Sequence, residues 1–375
     1  MSEQPPAPSH RRKRSLSRRG VIGTAAAVAG AAAVTPAVFA ATGSGSGDGD
    51  GSSAGSGSGS GGPGTTPEKF PATRTEAATG TGEATTAFAA SYVGLRWSGA
   101  KDGAAIKLAD GDWQTVTAGC SAVEDGGSAL VVAQNATAYE VKASGGVSDV
   151  VSLAIDVTDG PGRTFHVPSE PTRVRGVRYL SRPAWGADES KRYKDGKVNS
   201  PEKYYPLQII TVHHTATPNN DPDPAATVRA IYELHAITND WGDIGYHFLI
   251  DESGTVYEGR YSGDDGIPAF NPDGDLVTGF HSVGYNSGAL GIALIGTLTE
   301  NGPTDAAKES LTRLIKVICR FKGLDPQARV TYVNPVNGTK KDTNTIGGHR
   351  DYFATECPGQ VMYDLLGEIR AAAAR

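Results

Sequence analysis

Past about residue 180 of this 375-residue chain, apolar runs of strand length alternate with stretches of helical period. Gln208 to His213 is a β-branched apolar run. Leu290-Gly291-Ile292-Ala293-Leu294-Ile295-Gly296 is nearly continuous in apolar character, as the centre of a sheet covered on both faces requires. Asp223-Pro224 opens a helix that carries Val228, Ile231 and Leu234 at helical spacing. Gly245 to Asp251 reads as a strand, which Ser253-Gly254 turns back into Thr255-Val256-Tyr257-Glu258 as a hairpin. Two more helices are predicted at about 305–322 and 359–373. The alternation predicts an α/β domain over 180–375, with a central mixed β-sheet flanked by helices.

The pattern upstream differs. From Phe88 to Asp159, short β-rich pieces such as Tyr92 to Trp97, Ala129 to Val132 and Val150 to Val157 are separated by Gly, Asp and Ser. That spacing predicts a small all-β, sandwich-like domain over 87–160. A Pro/Arg-rich linker over 161–179 joins it to the second domain. Trp97 and Trp113 are expected in its core, the alternative being exposed platforms for stacking on sugars. Residues 42–64 are almost entirely Gly, Ser, Asp and Ala, so a linker without apolar periodicity is expected over 41–86.

Ahead of that linker stand Arg11, Arg12, Lys13, Arg14, Arg18 and Arg19, then an Ala/Val/Gly run from Val21 to Ala40. This is the pattern of an export signal over 1–40, cut after Ala40. Ser17-Arg18-Arg19-Gly20 resembles the twin-arginine type. The run is rich in Ala and Gly rather than Leu, which favours cleavage over a permanent membrane anchor. The expected location is outside the cell.

Charge narrows the partners. The chain has 35 Lys and Arg against 41 Asp and Glu. Removing residues 1–40 takes away six basic groups and one acidic group, leaving 29 against 40. Nucleic acid is a poor partner for such a chain, because phosphate binding needs a basic surface. Three cysteines, Cys120, Cys319 and Cys357, cannot all pair, so at least one is free or bound to a metal. Cys319 lies on an apolar helical face and reads as a small core residue.

Cys357 reads differently. It stands eight residues after His349, in Gly348-His349-Arg350-Asp351 with Thr355-Glu356-Cys357-Pro358-Gly359. The run Ile209-Ile210-Thr211-Val212-His213-His214 brings a further imidazole at a strand end. Two imidazoles and a thiolate suit Zn²⁺, and three protein ligands leave a fourth position open. Strand alternation turns His214 away from His213, and His247 away from Tyr246.

Val212-His213-His214-Thr215-Ala216, Gly245-Tyr246-His247-Phe248, Tyr257-Glu258-Gly259-Arg260, Gly284-Tyr285-Asn286 and the two segments around His349 and Cys357 occur in one order. In that order they resemble the peptidoglycan recognition proteins and the zinc amidases of the bacteriophage-lysozyme type. Ser181-Arg182-Pro183-Ala184-Trp185-Gly186 resembles the segment that opens such domains. The resemblance covers about 180–375. It implies an N-acetylmuramoyl-L-alanine amidase, monomeric, exported to the cell wall, with peptidoglycan as partner and Zn²⁺ as cofactor. The implied ligands are His213, His349 and Cys357, and the implied catalytic residues are Tyr246 and Thr355. His235, Arg260, His281 and Asn286 are the expected substrate contacts. The inserted stretch Tyr261 to Phe280 is expected near the peptide groove.

In that chemistry Tyr246 would donate to the developing oxyanion and the Thr355 hydroxyl would support it. Glu233, Glu258 and Glu356 are open as general bases. Non-catalytic members of the family bind wall fragments and typically lack the cysteine. A secreted zinc peptidase would need a His-Glu-x-x-His helix, which the sequence lacks. A muramidase would need two opposed carboxylates.

Overall fold

The structure, a computed structural model, describes residues 64–119, 126–169 and 172–375. The export signal and Cys120 lie outside the described residues, and so does most of the Gly/Ser run.

A five-stranded sheet organises the C-terminal region, in the order Val256–Glu258, Phe248–Ile250, Ala289–Leu294, Ile209–His214, Ile346–Gly348. Neighbours run parallel except at the edge, where Val256–Glu258 returns antiparallel on Phe248–Ile250. This is the expected mixed sheet. Every residue of Ile209–His214 and of Ala289–Leu294 is buried, which is why both runs lack polar alternation.

Three helices cover the two faces. α1 (Pro224–Glu233) starts where the Asp223 carboxylate accepts from the Ala226 N–H at 3.0 Å, with Pro224 in the first turn. It lays Val228 and Ile231 against Leu249 and Ala293. α2 (Asp305–Lys322) is capped by Thr304 and ends at Gly323, whose φ of 65° suits a residue without a Cβ. Together with α3 (Gln360–Ala374) it covers the opposite face, where Leu314, Ile318, Met362 and Leu366 meet Ile210, Val212 and Ile292. Each such side chain contributes roughly 1.5–3 kcal/mol by leaving water.

The N-terminal region departs from the sequence expectation in two ways. Strands begin well before residue 87: Thr65–Pro71 pairs with Gly162–Pro168, and Arg74–Thr79 is the edge of a sheet. Val177–Tyr179 pairs with Thr172–Val174. The spans read as linkers over 41–86 and 161–179 therefore hold strands. Their Thr, Glu and Arg content suits half-exposed edge positions and reads as linker by hydrophobicity alone. The second departure is architectural. In place of a two-layer sandwich there is one six-stranded antiparallel sheet. Its long strands Gly82–Gly99 and Gly126–Ala143 carry register shifts near Ala90, and irregularities of this kind bend a strand. Val93, Leu95, Trp97, Ile106 and Val141 form its core. Trp113 is half-buried beneath the Lys142 ammonium, 3.6 Å from the ring centroid.

The sheet packs onto α1: Tyr92, Leu153 and Ile155 contact Ala226 and Ala230. The Tyr92 and Thr227 hydroxyls share a hydrogen bond of 2.6 Å. The inserted stretch Tyr261 to Phe280 is also corrected. Ala269, Phe270, Leu276 and Val277 are buried, with Phe270 edge-on to Phe321 of α2 at 5.5 Å. Its apolar residues are drawn into the core on the α2 side, and none of the stretch lines the large cleft beside Tyr246 and Cys357. Among the described residues no helix is long and apolar enough to cross a membrane.

Candidate metal centre

Strand register brings the first two candidate ligands together. Val212 lies beside Gly348 in the parallel ladder, so His213 and His349 leave the same ends of adjacent strands. Carboxyl ends of parallel strands are where such sheets present ligand groups. The imidazole centroids stand 4.6 Å apart. Two glycines make this possible. A Cβ on Gly348 would meet Pro358 and the Tyr363 ring at 2.8 Å, and one on Gly347 would meet an Asp351 carboxylate oxygen at 2.7 Å. Asp351 holds the turn, accepting from the Gly348 N–H at 2.9 Å and from the Tyr363 hydroxyl at 2.5 Å. Cys357 returns to His349 because the Arg350 N–H donates to the Cys357 carbonyl at 2.9 Å.

His213, His349 and Cys357 are buried, with donor atoms all within 4.8 Å of one another. His213 Nδ1 and Cys357 Sγ are 3.6 Å apart. Nitrogen and sulfur ligands held about 2.0 and 2.3 Å from one tetrahedral zinc stand at about that separation. His349 Nδ1 is buried without a hydrogen-bond partner among the described residues. An unsatisfied buried group costs about 1–3 kcal/mol, and a metal bond removes that cost. These residues fit zinc.

Hydrogen bonding also selects the tautomer. A carbonyl only accepts, so His281 Nε2, 3.1 Å from the Ala289 carbonyl, must carry the proton. His281 Nδ1 is then bare and accepts from His213 Nε2–H at 3.0 Å. That leaves His213 Nδ1 unprotonated where it faces Cys357, as a metal ligand must be. Burial keeps these imidazoles neutral. It pushes His349 down to about 3 and His281 to about 4, and it drives His213 well below its ordinary value, helped by the His349 imidazole.

Tyr246 completes the group, its ring centroid 5.3 Å from that of His213. The segment before it is fixed from the opening of the domain. The buried Arg182 guanidinium donates to Asp243 at 3.0 Å, and Asp243 accepts from the Ile244 and Tyr261 N–H groups. Thr355 accepts from the Cys357 N–H at 3.3 Å. Tyr246, Thr355 and Cys357 line a cleft of about 1410 Å³.

The remaining expectations divide. His214 points to the other face, where its Nδ1 accepts from the Leu298 N–H, and His247 is held between the Gly291 N–H and the Val277 carbonyl. Both lie off the metal cluster, as strand alternation requires. Of the four expected substrate contacts, only His235 lines the cleft. Arg260 is buried with its guanidinium over the Phe280 ring at 4.4 Å, and Asn286 accepts from the His281 and Ser282 N–H groups to shape a turn. His281 orients His213 and does not face the cleft. Among the open carboxylates, Glu356 lines the cleft. Glu233 is buried beside Lys191, and Glu258 accepts from the Arg182 N–H; burial raises each to about 7. Burial also lifts the Cys319 thiol to about 12, in keeping with its core position.

Sequence reasoning missed the Arg182–Asp243 pair, the His281 relay and the strand Ile346–Gly348. A three-residue strand containing two glycines shows no period, and only its pairing with Ile210 to Val212 reveals it.

Comparison with known proteins bears on this site. The family described as N-acetylmuramoyl-L-alanine amidase matches residues 203–360. The chain is 32% identical over 165 residues to the human protein named N-acetylmuramoyl-L-alanine amidase, a match covering 43% of this chain and 24% of that one. It is 32% identical over 202 residues to human peptidoglycan recognition protein 3, covering 53% and 49%. It is also 32% identical over 194 residues to peptidoglycan-recognition protein SC2 of Drosophila melanogaster, covering 51% and 85%. The chain thus spans about half or less of the length of the two human relatives.

Proposed function

The chain belongs to the peptidoglycan recognition protein and amidase family, and on that premise we propose that it is a zinc-dependent N-acetylmuramoyl-L-alanine amidase. It would hydrolyse the amide between the lactyl group of muramic acid and the first alanine of the stem peptide. The convergence of His213, His349 and Cys357 beside Tyr246 carries this reading.

His213, His349 and Cys357 would hold the zinc, which would supply Lewis acidity towards the amide carbonyl and water. The chain's own residues do the rest. His281 keeps His213 in the ligating tautomer. The Tyr246 phenol donates to the oxygen on which charge develops, and the Thr355 hydroxyl, which lines the same cleft, supports it. Of Glu233, Glu258 and Glu356, Glu356 is the one on the cleft wall and is the candidate general base.

Digestion of purified cell wall tests the reading. Newly exposed lactyl groups with new alanine amino termini are the expected products. Binding without those products would make the protein a recognition module, and new reducing sugars would make it a muramidase. Export through the twin-arginine-type signal belongs to the same proposal. Replacing Arg18 and Arg19 by lysine should retain folded enzyme inside the cell, and undiminished export of that variant would refute it.

A further inference from the structure

The cleft above the metal cluster has two walls, and one of them comes from the N-terminal sheet. Residues Gln114 to Gly119, Ala129 to Val132 and Gln134 line it together with Thr215 to Pro218, Thr297 and Thr299. The sheet is firmly seated. A Cβ on Gly94 would stand 2.9 Å from the Leu234 side chain, and Arg229 donates to the Val157 carbonyl at 3.3 Å. At the loop that carries Thr355 and Cys357, Lys101 donates to the Ala354 carbonyl at 2.5 Å and lies 4.2 Å over the Phe353 ring.

The wall chemistry points to a ligand class. Gln114, Thr115, Thr117 and Gln134 are exposed and neutral. They offer amides and hydroxyls, which both donate and accept. The two basic side chains that line the cleft are already engaged. Lys101 is tied to Ala354, and Arg350 donates to Gln360 at 2.7 Å and to the Glu356 carbonyl. In peptidoglycan the stem peptide bears carboxylates, whereas the glycan is neutral once each lactyl group is amidated. We propose that the N-terminal sheet is the second wall of the substrate cleft and binds the saccharide strand of the substrate. This rests on the amidase reading for the identity of the polymer.

The test uses the zinc-loaded full chain and a variant combining Gln114→Ala, Thr115→Ala and Gln134→Ala, all at exposed positions. The probe is an oligosaccharide of alternating N-acetylglucosamine and N-acetylmuramic acid without stem peptides, its lactyl groups capped as methylamides so that it is neutral, titrated calorimetrically. The expected result is an affinity at least tenfold weaker in the variant, with Tyr246→Phe binding as tightly as the parent. In wall digestion the variant should show a raised KM and an unchanged kcat. Equal affinity in variant and parent, or no saccharide binding by the parent, overturns the proposal. Loss of affinity for free stem peptide in place of saccharide also overturns it. Saccharide binding that needs the sheet, in a protein that releases no lactyl product, would defeat the amidase reading and leave this proposal standing.

Discussion

The floor and the wall of the cleft are built on opposite principles. The floor is a register-locked end of a buried parallel sheet, where His213, His349 and Cys357 are all but inaccessible to solvent. The donor atoms there are fixed within 4.8 Å of one another, and one misplaced side chain would spoil the geometry. The wall is the face of an antiparallel sheet that presents exposed threonines and glutamines. Chemistry on a small reacting group needs fixed donors, whereas holding a repetitive polymer needs many replaceable ones.

If that contrast holds, substitutions should grade steeply from floor to wall. Cys357→Ser should have the largest effect, with bound zinc and amidase activity both lost. Metal analysis beside product assay checks it, and full activity in a metal-free variant would sink the mechanism. Tyr246→Phe comes next. It should keep its zinc while kcat falls by about 10² to 10³, the usual cost of removing an oxyanion donor. Release of metal from that variant would make Tyr246 a structural residue.

His281→Ala removes the acceptor that keeps His213 in its ligating tautomer. Zinc affinity should weaken by about 10- to 100-fold, measured by competition with a chelator. Unchanged affinity would disprove the relay from Ala289 to His213.

Acid should then destabilise the floor. Burial holds His235 and His247 at about 3, while an exposed histidine titrates near 6.5. Below pH 6.5 the unfolded chain takes up protons that the native chain refuses. Stability is therefore complete above 6.5 and drains away as pH falls towards about 3. At pH 5 each such histidine should cost roughly 2 kcal/mol. Denaturant titrations at pH 7 and 5 measure it, and His247→Gln should flatten the slope. The smallest effect belongs to the wall. Thr115→Ala and Gln134→Ala should change stability by less than about 0.5 kcal/mol, and a larger loss of Tm would show that the wall is structural.

What could be read without coordinates follows the same division. The apolar runs at Ile209 and Leu290, the Asp223-Pro224 helix start and the Ser253-Gly254 turn are local signals, and each marks a real element. The candidate ligands were legible because few residue types hold zinc and the motif order is specific. Polar strands such as Arg74–Thr79 were not, because at a sheet edge the ladder rather than hydrophobicity makes the strand.

Residue types and local periods by themselves determined the α/β class, the helix positions and a candidate ligand set of two imidazoles and a thiolate. Tertiary structure alone set His281 beside His213 as its hydrogen-bond support. His281 differs from the other histidines only in reaching both His213 and the Ala289 carbonyl, a relation across 68 residues of chain. Packing likewise placed the N-terminal sheet beside the cleft and drew the 261–280 insertion away from it. Long-range pairing and apolar packing fix those positions, and neither leaves a periodic mark on the sequence.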